Sequence, residues 1–64
     1  MNTENVRKRT EQLVQDSSFE QLASYLEGME VAGTFNSDIE SVIMDKMIEL
    51  DAEKFMKWEE EYNN

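Results

Sequence analysis

Proline is absent from this chain, and glycine occurs only twice, at Gly28 and Gly33. Proline breaks a helix by removing a backbone donor and clashing with the preceding turn, and glycine weakens one through backbone entropy. Long stretches here contain neither. Strong helix formers dominate, and no segment alternates apolar and polar residues for long enough to make a strand. The expected class is therefore all-α.

Length then limits what those helices can do. The chain has 64 residues, and a domain of roughly 60 residues buries only about 60% of its unfolded surface. There is no Cys, so no disulfide staples the fold, and with no His either the usual structural zinc sets are absent. Such a chain relies on efficient helix packing or on a partner. The expectation is one helical domain over 1–64, a small three-helix bundle with helices at about 4–16, 18–30 and 38–62. A fourth helix is the alternative.

Capping signals set those boundaries. The first helix starts after Thr3, whose hydroxyl caps free N–H groups, and its thin apolar stripe is Val6, Thr10, Leu13 and Val14. A capping box, Ser17 with Glu20 or Ser18 with Gln21, opens the second helix. Phe19, Leu22, Ala23, Leu26 and Met29 then mark its buried face, with Tyr25 at the margin. Gly28 or Gly33 closes it; the preferred end lies near Glu27 to Glu30, followed by a loop through Asn36 that tucks Val31 or Phe35 against the core. Ser37 with Glu40 forms another capping box. Beyond it two apolar stripes run toward the C-terminus: Ile39, Val42, Ile43 and Leu50, and then Met44, Met47, Ile48, Phe55, Trp58 and Tyr62. One unbroken helix over 38–62 is preferred, although it would be about 37 Å long at 1.5 Å per residue, longer than two short helices can cover. The alternative is a break near Leu50 and Asp51, with Asp51 capping a fourth helix. Phe55, Trp58 and Tyr62 are covered either by the first helix folding back or by a second copy of the chain.

Charge constrains the partners. The net charge is −9, from fifteen acids against six bases, and Arg7, Lys8 and Arg9 supply half of those bases within the first ten residues. At about 100° per residue those three fan around a helix and make no single patch. The acidic remainder repels a phosphate backbone, so direct nucleic-acid binding is not expected. No apolar run approaches the roughly 20 residues needed to cross a bilayer, and the opening residues lack the apolar stretch of a secretion signal. A cytoplasmic protein without membrane association is expected.

Catalytic signatures are missing. Without His or Cys there is no nucleophile–imidazole pair and no thiolate, and no glycine-rich phosphate loop or calcium-loop pattern occurs. A non-enzymatic protein with no cofactor and no metal is the expectation.

Two stretches carry a resemblance. Ser18-Phe19-Glu20-Gln21-Leu22-Ala23-Ser24-Tyr25-Leu26-Glu27 resembles the second helix of the Hha/YmoA family, and Ser37-Asp38-Ile39-Glu40-Ser41-Val42-Ile43-Met44 resembles the opening of its long third helix. Members of that family are small helical modulators of enterobacterial gene expression that bind the nucleoid protein H-NS. The resemblance covers about two thirds of the chain, and Glu49 falls where the family has an acid in mid-helix. It implies a basic protein partner, H-NS-like or a DNA-processing enzyme, met by Glu20, Glu27, Asp38 and Glu49. Tailed phages also encode small Hha-like proteins, so a bacterial cell or a phage-infected host is the expected setting, with an accessory role in DNA recombination.

The resulting expectation is an acidic protein-binding modulator docking on a basic protein involved in DNA transactions or transcription. Its candidate contact residues are Glu20, Glu27, Asp38 and Glu49 together with the aromatic stripe Phe55, Trp58 and Tyr62. The alternatives are a DNA mimic, using Asp38, Asp45, Glu49, Glu53 and Glu60 along the last helix, and a self-associating assembly protein, a homodimer included, joined through the aromatic stripe.

Overall fold

In the computed structural model, which describes residues 3–62, the chain forms α1 (Thr3–Val14), α2 (Phe19–Ala32), α3 (Ser37–Leu50) and α4 (Ala52–Tyr62). No strand occurs among the described residues, and the helices pack as a small bundle, the all-α class that the residue pattern predicts. Thr3 is already helical, and the cap expected from its side chain lies outside the described residues.

Each later boundary has a local cause. Ser17 closes α1 by donating its hydroxyl to the Leu13 carbonyl at 3.4 Å. Of the two capping boxes the sequence offers, Ser18 with Gln21 forms: the Ser18 hydroxyl accepts from the Gln21 N–H at 3.2 Å, and the Gln21 side chain accepts from the Ser18 N–H at 2.9 Å.

The expected end of α2 near Glu27 to Glu30 is not where the helix stops; it continues to Ala32. Gly28 is exposed, with nothing within 4 Å of where a Cβ would stand, so it costs the helix only about 1 kcal/mol of propensity. Gly33 offers more. It takes the left-handed conformation at φ 69°, letting its N–H reach Glu30 and the Thr34 N–H reach Met29, a pair of bonds that satisfies the last carbonyls. The extra turn shortens the following loop to residues 33–36. Val31 is therefore held on the exposed side of α2, and Phe35 in the short loop is exposed as well, so neither is tucked against the core. Asn36, and not Ser37, caps α3: its side-chain oxygen accepts from the N–H groups of Asp38 and Ile39 at 3.0 and 3.3 Å.

The largest correction concerns the helix expected over 38–62, which is two helices broken at Asp51. Asp51 is extended, donates its N–H to Met47, and accepts the Lys54 N–H at 3.0 Å on its carboxylate. The alternative cap thus prevails. The reason is burial. In a straight helix Phe55 would sit about 12 Å along the axis from Met47. With the turn, both belong to one cluster, Met47 fully buried and Phe55 7% exposed.

Helix α3 is central, touching α1, α2 and α4. Val42, Ile43 and Met47 meet Val14 of α1, Phe19, Leu22, Ala23 and Leu26 of α2, and Phe55 of α4. Thr10 is buried too, its hydroxyl satisfied by the Val6 carbonyl at 2.8 Å. Leu13, placed by the pattern in the same stripe, is 76% exposed. It stands about 100° around the helix from Val14, beyond the strip that α3 covers. Leu50 is also largely exposed, because the break at Asp51 ends its stripe. The bundle measures 33 × 25 × 14 Å along its principal axes and is therefore flat.

Candidate functional site

The aromatic stripe keeps its helical spacing and forms a column on α4. Phe55 and Trp58 lie 5.9 Å apart, and Trp58 and Tyr62 stack at 4.7 Å with an interplanar angle of 24°. Within the single chain α2 borders this column, a correction to the expected fold-back of α1. The Lys54 ammonium sits 5.0 Å over the Phe19 ring and ion-pairs with Glu20, tying α4 to the start of α2. At the far end, Tyr62 donates its hydroxyl to the Glu30 carboxylate. That hydrogen bond, followed by desolvation and the charges of Glu30, Glu40 and Glu27, pushes the phenol pKa up to about 12. The lysine bond beside Glu20 holds its carboxyl below the usual range.

The candidate contact residues do not form one site. Glu20, Glu27 and Trp58 come together on a groove between α2 and α4, where Glu61 adds an acid and Lys54 and Lys57 add bases. Asp38 is half-buried in the first turn of α3, at the capped end. Glu49 lies at the other end of α3, 3.9 Å from Lys46, on a cleft that α1 borders with Arg7, Lys8 and Glu11. Phe55 points into the core and reaches a different groove, between α3 and α4.

That last groove was not visible in the linear pattern. Met44, Ile48 and Phe55 make its apolar part, Glu40, Asp45 and Glu59 its acids, and Ser37 and Ser41 complete it. No Lys or Arg lines it. Ile48 is 45% exposed, and Met44 is half-buried against the core. Its acids come from helices that face each other only because of the break. Along a straight helix, Ile48, Phe55 and Glu59 would lie in a row, whereas the turn at Asp51 sets the last two across from the first. The signal that finds this groove in the sequence is Asp51 read as a cap with Phe55 as a core residue.

Charge pairing inside the molecule is sparse. Among the described residues three ion pairs form: Lys8 with Glu4, Lys46 with Glu49, and Lys54 with Glu20. Every buried side-chain polar atom among the described residues is hydrogen-bonded, and no group of acids there is arranged to hold a metal ion. No described helix is long and apolar enough to cross a membrane. Compared with family models, curated proteins and solved structures, this chain matches none.

Proposed function

We propose that this protein is a non-enzymatic, acidic protein-binding modulator that docks on a basic protein engaged in DNA transactions or transcription, in the manner of the Hha-like proteins, with a phage accessory role in recombination as one setting. The observation that carries this reading is the distribution of its carboxylates. Helices α2, α3 and α4 carry eleven of the fifteen acids, most of these are exposed, and only Glu20 and Glu49 among them are held in ion pairs. Carboxylates neutralised inside the molecule would serve its own stability. Carboxylates left facing outward generate a field that steers a cationic surface toward it.

The competing readings have less support. A DNA mimic needs carboxylates spaced along an elongated surface, and the turn at Asp51 takes Asp38, Asp45 and Glu49 off the helix that carries Glu53 and Glu60. Assembly through the aromatic stripe needs that stripe uncovered, whereas Phe55 is buried within one chain.

Retention of a purified basic nucleoid protein on the immobilised chain tests the proposal. Binding is expected at low salt, is lost as salt screens the interaction over a Debye length of about 10 Å at 0.1 M, and weakens when Glu27→Lys and Glu49→Lys reverse two exposed charges. Retention that salt and charge reversal leave unchanged, or no retention of any basic protein at low salt, would overturn it.

A further inference from the structure

From the α3/α4 groove we infer that the occupant is an amphipathic basic helix of a partner protein, its apolar face on Met44 and Ile48 and its Lys or Arg side chains against Glu40, Asp45 and Glu59. This deepens the proposed function and rests on it.

Three features of the groove select that chemistry. Its apolar floor excludes a purely electrostatic contact: Ile48, 45% exposed, lines it together with Met44 and the edge of Phe55. Met44, half-buried against the core, lines the groove beside Ile48. Methionine is unbranched and polarisable, which suits a surface that adapts to an incoming side chain. The second feature is the rim. Glu40, Asp45 and Glu59 are charged and in no ion pair among the described residues, and no base lines the groove to answer them. Complementarity therefore calls for cations flanking an apolar stripe.

Length is the third. From Ser37 to Ile48 the groove follows α3 for about 16 Å, the span of three helical turns at 5.4 Å each. Three turns present apolar residues at i, i+3 or i+4, and i+7, enough to meet Met44, Ile48 and the edge of Phe55.

A second copy of this chain fits poorly. Its only base-rich element, α1, already lays its apolar side on α3 of its own chain, and two molecules each at −9 repel. A nucleic acid or an anionic membrane would meet the rim with like charge.

The test is a titration of the isotope-labelled full chain, followed by amide NMR, with a synthetic Leu/Lys peptide whose leucines follow i, i+3, i+4, i+7. Controls are the same composition with leucines scattered around the helix, and a Leu/Glu version. Shifts are expected at Ser41, Asp45, Ile48, Phe55 and Glu59, with about tenfold weaker binding in Ile48→Ser and in Glu59→Lys, equivalent to about 1.4 kcal/mol each. Glu59 is exposed on α4, so its variant reads binding without disturbing the core. Leu13→Ser, on the exposed side of α1, leaves affinity unchanged. Equal binding of the scattered peptide, or shifts confined to the α2/α4 groove, overturns this assignment while leaving the acidic docking reading intact. If the patterned peptide fails to bind at low salt but polylysine does, the groove assignment alone falls; if neither binds, both readings fall. Concentration-dependent dimerisation that protects the groove overturns it in favour of a second copy.

Discussion

Two leucines in the apolar stripes of neighbouring helices test the packing directly. Leu22 is fully buried, while Leu13 is 76% exposed. Truncating a buried leucine to alanine loses transfer free energy and leaves a cavity, a cost of about 2–5 kcal/mol. Leu22 contributes to the cluster that joins α2 to α3, and a chain this flat offers few neighbours able to collapse into the space. A domain of this length has a total stability of about 3–10 kcal/mol at the usual 0.05–0.15 kcal/mol per residue. Leu22→Ala therefore removes about a fifth of that stability or more. At about 4–8 °C per kcal/mol for a small domain, a loss of about 3 kcal/mol lowers Tm by roughly 12–24 °C. Leu13→Ala, by contrast, should change stability by no more than about 0.5 kcal/mol, as surface substitutions do. Far-ultraviolet circular dichroism during thermal and urea unfolding measures both. A loss in Leu13→Ala comparable to that in Leu22→Ala would refute the orientation of α1 on α3, because that orientation is what leaves Leu13 outside the core.

Two further predictions concern the backbone and the proton. Gly33→Ala forces a side chain into a left-handed conformation and should cost about 1–2 kcal/mol, whereas Gly28→Ala, inside α2 with open space around it, should add about 0.5–1 kcal/mol; urea unfolding that gives both changes the same sign contradicts the placement of the α2 cap. In a Tyr25→Phe background, the ultraviolet titration of Tyr62 should have its midpoint near the raised value of about 12, and Glu30→Gln should bring it down toward the ordinary 10.0. The folded pKa lies above the unfolded one, so the stabilisation is fully present below about pH 10 and is lost as the pH rises through about 12. A midpoint unmoved by Glu30→Gln would show that the phenol does not face that carboxylate.

Local chemistry accounts for how much of this fold was legible in the residues. The capping box at Ser18 involves partners three residues apart, so its donors and acceptors are visible along the chain, and the buried face of α2 follows from Phe19, Leu22, Ala23 and Leu26 at helical spacing. The end of α2 was half legible: both glycines were candidates, and the choice of Gly33 depended on carbonyl bonds that only the finished turn reveals. The candidate site was less legible still. Glu20, Glu27 and Trp58 do meet, but Asp38 and Glu49 occupy opposite ends of α3, and the groove with the unpaired acids drew on Glu40, Asp45 and Glu59.

The sequence by itself determined that the chain is helical, roughly where three of its helices begin, and that its surface is acidic, because each of these depends on residue type or on neighbours within one turn. Tertiary structure decided the turn at Asp51, the exposure of Leu13 and the side of the bundle on which the aromatic column lies. A straight helix and a broken one satisfy the same local hydrogen bonding almost equally well, and the balance is tipped by bringing Phe55 beside Met47. That gain is a contact between residues on different helices, which spacing along one helix does not encode.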